Sequence, residues 1–285
     1  MRHGPAVRRR RLGEELRRAR VAARLTSRGA AELAGWHQSK VSRIETGASG
    51  VKAGDVRLLL DLYRVADPGP RLLLETLADA ADGGGDGWWH AYRSLLPAEY
   101  RDFISLESQA RAVRTVETSA VPGLLQTAEY ARAVTRATLA DLPDATVDSL
   151  AEVRIARQEV LRGPRPPALS VVLDEAVLRR EVGGPGVMRA QLRALAAASE
   201  LPCVRLQVVP FSAGGYAGQT GSFVIFSFPS TSDLDVVILD HLTRSVSLER
   251  AEDLAVYSAA FATMQRRALP PVESLDLIAA LAGGA

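Results

Sequence analysis

Between Arg8 and Tyr63 the chain alternates short helical periods with turn residues so closely that little other than a small helical domain can result. Leu12, Leu16, Ala19 and Ala23 recur at helical spacing, with Glu14, Arg17 and Arg18 off that stripe. Leu25-Thr26-Ser27 breaks the pattern, and Thr26 or Ser27 can cap a second helix carrying Ala30, Ala31, Leu33 and Ala34. Gly35 supplies a tight turn. A third helix runs from about His37 to Glu45 and stops at Gly47, because glycine takes the left-handed conformation past a helix end at little cost. Asp55 opens a fourth helix with Val56, Leu59, Leu60 and Tyr63 facing inward.

The third helix carries the chemistry. Val41 and Ile44 lie three apart and face the core, which leaves Gln38, Ser39, Ser42 and Arg43 outward. Glutamine matches adenine, arginine matches guanine, and serine reaches either a base or a phosphate. A solvated face on a small bundle is the bland reading of such a helix. The Gly35 turn, the polar face and the basic surroundings together decide against it. Residues 1–64 hold 15 Lys+Arg and 6 Asp+Glu, a net of +9, whereas residues 65–285 hold 20 and 27, a net of −7. A basic small domain on an acidic larger one is built to hold a polyanion at one end.

The stretch LTSRGAAELAG-WHQSKVSRIETG, and Ser39 to Gly47 within it, resembles the XRE-type helix-turn-helix family of phage-repressor-like regulators. The resemblance covers about residues 10–64. It implies a five-helix fold, double-stranded DNA as partner, and binding as a homodimer. It places Gln38, Ser39 and Arg43 at positions that read bases. Ser27 and Arg28 open the helix that meets phosphate, and Lys40 and Ser42 touch the backbone beside the readers. Trp36 and His37 stand where the family has a small apolar residue and a capping Ser or Thr, so His37 is left to cap weakly or to meet a phosphate. Arg20 and Glu45 match an internal ion pair of several relatives. The run Arg8-Arg9-Arg10-Arg11 precedes the expected first helix and reads equally as a flexible arm along the DNA or as a solvated helix start.

The expected organisation is a DNA-binding domain over 8–66, a helical and Gly-rich linker over 67–87, and a second domain over 88–285. Asp67-Pro68-Gly69-Pro70 stops the preceding helix, and Gly83-Gly84-Gly85-Asp86-Gly87 reads as a flexible joint. Beyond Trp88 the pattern predicts helices first, including one over Asp102 to Glu117. Strands follow over 169–173, 204–209, 222–228 and 236–239, then a final helix over about 251–267. The fold class is therefore a mainly α helix-turn-helix domain plus a larger α+β domain with a small, mostly antiparallel sheet. WWHAYRSLLPAEY, SAVPGLLQTAEYARA, VRIARQEVL, LDEAVLRREVGG and QVVPFSAGGYAGQTGSFVIFSF resemble the domain of unknown function that follows the helix-turn-helix in many actinomycete regulators. That resemblance implies a setting beside a small partner protein encoded nearby; it implies no ligand or reaction.

No catalytic set emerges. Cys203 is alone, the four histidines lack ligand spacing, and the Gly214–Gly221 stretch lacks a phosphate-binding spacing and lysine. Arg154, Arg157 and Gln158 could meet an anion, but an ion-pair role within the domain fits the 27 nearby acids better. No metal, cofactor or membrane span is expected, and the chain reads as a cytoplasmic, nucleoid-associated protein, not an enzyme. Two functions compete. One is a homodimeric transcription regulator whose second domain senses an effector of unknown identity or a partner protein. The other is an antitoxin-like partner-binding protein that autoregulates its own operon.

Overall fold

The computed structural model describes residues 6–82, 88–92, 94–139, 141–228, 234–241 and 244–283. The chain divides into two compact units, Met1–Ser108 and Gln109–Ala285. Trp88 to Ser108 thus groups with the first unit, and the Gly83–Gly87 joint lies outside the described residues.

The first unit opens with five helices: α1 (Ala6–Ala22), α2 (Ser27–Ala34), α3 (Gln38–Glu45), α4 (Ala53–Leu62) and α5 (Pro68–Asp82). Leu12, Leu16, Val41, Val56, Leu59, Leu60 and Leu77 close the core between them. The turn chemistry follows the sequence. The Thr26 side chain accepts from Gly29 N at 3.0 Å, and Gly35 ends α2 at φ 68°. The arginine run is corrected: it lies inside α1, where arginine is a good helix former, and Arg8 is buried, so it is no arm. Gly13 is the contact point of α1 with α3, since a Cβ there would stand 2.6 Å from the Glu45 carbonyl oxygen and closer still to that of Ile44. Two helix ends are unusual. Arg24 after α1 (φ 57°) and Arg64 after α4 (φ 56°) adopt the left-handed conformation that glycine normally supplies. Past α5, Trp88–Tyr92 forms a 3-10 turn and α6 spans Ala98–Gln109.

The second unit is built on six strands: β1 (Ala112–Glu117), β2 (Ala168–Asp174), β3 (Val204–Val209), β4 (Phe223–Ser227), β5 (Val236–Asp240) and β6 (Ser245–Leu248). Their order is β3-β2-β1-β4-β5-β6. The β1–β2 and β2–β3 pairs are parallel, and β1–β4, β4–β5 and β5–β6 are antiparallel, so the sheet is mixed with an antiparallel majority. The crossovers hold α7 (Ala128–Thr138) and α8 (Asp144–Arg157), then α9 (Glu175–Arg179) and α10 (Pro185–Ala198). Two helices close the chain, α11 (Ala251–Arg267) and α12 (Pro271–Gly283).

The helix expected over Asp102 to Glu117 is corrected: it ends at Gln109, and Ala112 to Glu117 is a central strand. Val113 and Val116 are three apart, which imitates a helix, but both are buried because each faces a covered side of the sheet. α11 sets Phe261 and Met264 against Val116, Val172, Ile225 and Val237. The VPGLLQT segment is pinned by polar side chains. Arg154 Nη1 donates to Gln126 Oε1 (2.9 Å), Gln158 Nε2 donates to the Gln126 carbonyl (2.6 Å), and the fully buried Gln191 accepts from Thr127 N while donating to the Leu125 carbonyl (both 2.7 Å). Arg154 and Gln158 are thus turn-holding groups. The Gly214–Gly221 loop joins β3 to β4 and is tied down by a Tyr216–Asp174 hydrogen bond and by Arg267 donating to the Gly215 carbonyl.

Candidate nucleic-acid interface

Helix α3 is fixed from beneath and open above. Val41 and Ile44 are 0% and 2% exposed. Glu45, at the last turn, is clamped by Arg20 of α1. Arg20 Nε donates to Oε1 at 2.6 Å, Nη2 donates to Oε2 at 2.9 Å, and Nη1 donates to the Leu25 carbonyl at 2.6 Å. A bidentate fork of this kind sets orientation as well as attraction. The hydrogen bond to Glu45 is the main reason the Arg20 pKa rises, against the cost of its own burial. Burial, with Glu45 adding to it, pushes the Tyr63 hydroxyl up to about 12, so this underside keeps Tyr63 neutral.

The outer side is polar. Gln38, Ser39, Ser42 and Arg43 are all exposed, and among the described residues Arg43 makes no ion pair. Gln38 Nε2 donates to Ser27 Oγ at 3.2 Å, joining the first turn of α3 to the first turn of α2. One continuous surface therefore carries Gln38, Ser39, Ser42 and Arg43 with Ser27 and Arg28. Arg28 is paired with Glu32 at 3.1 Å, but both side chains are solvated and such a pair exchanges readily. His37 is exposed and makes no side-chain capping bond to α3, so only a phosphate-facing role is left open to it.

Lys40 is placed differently from the other candidates. Its Nζ donates to Asp55 Oδ2 at 2.9 Å and sits 3.5 Å from the centroid of the Trp36 ring. The ammonium tacks α3 to the start of α4 and to the residue preceding the helix. The spacing of Trp36 and Lys40, four apart, carried that signal in the sequence; the role of Asp55 depends on tertiary structure. Gly13 also escaped sequence reasoning, since nothing local marks it as the crossing point of two helices.

Residues 11–74 match a family model described as a helix-turn-helix domain. Residues 100–280, well over half the chain, match the domain of unknown function DUF5753. The chain belongs to the DUF5753 family. No curated protein and no solved structure matches it. In this DUF5753 protein the matched helix-turn-helix region covers most of α1, all of α2 to α4 and the start of α5, with the surface just described, and it is the DNA-binding part of a regulator. Among the described residues no helix is long and apolar enough to cross a membrane.

Proposed function

We propose that this DUF5753 protein is a sequence-specific transcription regulator that binds duplex DNA as a homodimer. It acts by binding, not by catalysis, and the second unit answers to an effector or a partner protein. One observation carries the reading. The side of α3 that bears Gln38, Ser39, Ser42 and Arg43 is exposed, while the opposite side is locked by Val41, Ile44 and the Arg20–Glu45 fork. A rigid helix with an exposed polar side, joined by a glycine turn to a second helix, has the geometry to enter a major groove. Two copies on one duplex place their α3 helices about one helical turn, roughly 34 Å, apart.

The decisive experiment is a mobility-shift titration of the full chain against a library of duplexes. Enrichment of an inverted repeat is the expected result, with affinity falling steeply with salt. Arg43→Ala should change which sequences are enriched. A folded protein that binds no duplex at low salt overturns the reading.

A further inference from the structure

The first unit has a second surface, on elements that the α3 face does not use. A groove of about 850 Å³ opens between the C-terminal ends of α1, α2 and α4. Leu25, Leu33, Leu62 and Val65 are among its apolar lining, and no lining residue comes from α3. Leu33 is 58% exposed, and Val21, next to the lining residue Ala22, is 59% exposed. Within the groove Leu33 stands in water, and Leu25, Leu62 and Val65 are half-buried around it, so a partner's apolar side chains would find one exposed anchor and a partly covered floor.

The rim is cationic. Arg24 and Arg64 both line the groove, both are exposed, and among the described residues neither makes an ion pair. Both hold the left-handed backbone conformation at a helix end, where glycine is the usual occupant. The one acid lining the groove, Asp67, accepts a hydrogen bond from Gly69 N at its own helix start.

We propose that this groove docks an amphipathic acidic helix of a partner protein. Its apolar stripe would rest on Leu25, Leu33, Leu62 and Val65, and its flanking carboxylates would meet Arg24 and Arg64. The mode of binding is that of a helix laid into a hydrophobic groove, whose partner would present apolar anchors at i, i+3, i+4 and i+7. A phosphate backbone would use the arginines but gain nothing from the leucine floor. Because α3 contributes nothing to the lining, the partner and DNA bind together. This inference goes beyond the DNA-binding reading and survives its failure.

The test uses the full chain and a fluorescein-labelled helical peptide with leucines at i, i+3, i+4 and i+7 and glutamates elsewhere. Fluorescence anisotropy should show saturable binding that an excess of duplex DNA leaves in place. Leu33→Glu, at an exposed position that the fold does not need, should weaken the peptide at least about tenfold. Arg24→Gly should weaken it about threefold, and Arg24→Gly with Arg64→Gly about tenfold. Glycine suits both backbone conformations, so these variants should melt no lower than the parent, which separates lost docking from lost folding. Absence of saturable binding overturns the proposal. So does equal affinity for the parent and Leu33→Glu, displacement of the peptide by duplex, or equal binding of a peptide with lysine in place of glutamate.

Discussion

Two arginines in the first unit do opposite work, and their substitutions should part accordingly. Arg20 is buried against Glu45, so Arg20→Ala leaves a carboxylate desolvated and uncompensated. Breaking a buried pair from one side costs about 3–5 kcal/mol, and the variant should show this as a lower midpoint in denaturant melts. Arg43 is exposed and unpaired among the described residues, so Arg43→Ala should leave stability within about 0.5 kcal/mol. Its effect should fall on sequence choice, costing about 1–3 kcal/mol of discrimination at one base position per half-site. A melt that moves with Arg43→Ala and not with Arg20→Ala would reverse these roles. The outward side of α3, which makes up most of the candidate site, was legible in the sequence. The spacing of Val41 and Ile44 fixed which side of α3 faces outward, and with it the exposure of Gln38, Ser39, Ser42 and Arg43. The pairing of Lys40 was not legible, because its partner Asp55 is fifteen residues away and enters only through the packing of α4.

At the scale of elements, close approach and burial are the features a single sequence hides. Gly13 reads as an ordinary weak spot in α1, yet it lets the backbones of α1 and α3 meet. Gly13→Ala forces that contact apart against two carbonyl oxygens and should destabilise the unit by about 3 kcal/mol, measured by chemical denaturation. The strand β1 was hidden for a related reason. A strand covered on both sides loses its alternation, and the helical spacing of Val113 and Val116 then wins any periodicity count. The strands expected over 169–173 and 204–209 stood out because the first holds the Val171-Val172 pair in an aliphatic run after Pro167 and the second alternates apolar residues with Arg205 and Gln207 between Pro202 and Pro210. At the end of β1, Glu117 is desolvated, and burial pushes its pKa up from 4.5 to about 7; hydrogen bonds from Thr115 and Ser222 pull the other way, and Asp240 adds to the rise. A carboxyl with a raised folded pKa holds its proton more tightly folded than unfolded. Its stabilising contribution is complete below pH 4.5 and is lost as pH climbs through about 7. The parent protein should therefore lose roughly 1–3 kcal/mol across that interval relative to Glu117→Gln, which keeps the neutral shape at every pH. Parallel pH profiles for the two proteins would show that Glu117 does not titrate there.

For the molecule as a whole, the uneven charge along the chain makes salt the most informative variable. The residues proposed to meet phosphate sit in a segment with a net of +9, and the remainder, at −7, has no electrostatic reason to approach DNA. Each phosphate neutralised by the protein releases counterions and adds about −0.9 to the slope of log affinity against log salt. Arg28, at the start of α2, is the cation that the surface places beside Ser27 and Gln38, and its solvated pair with Glu32 is cheap to exchange for a phosphate. Removing one such contact from a monomer on DNA should flatten the slope by about 1, whereas removing it from both copies of a dimer should flatten it by about 2. Arg28→Ala measured against the parent on an inverted repeat therefore counts protomers at the DNA directly, independent of any dimer seen in free solution. A change near 2 on the full repeat and near 1 on an isolated half-site is the expected outcome. The same change on both would mean that one copy binds at a time, and the symmetric arrangement would have to be abandoned even if sequence preference persisted.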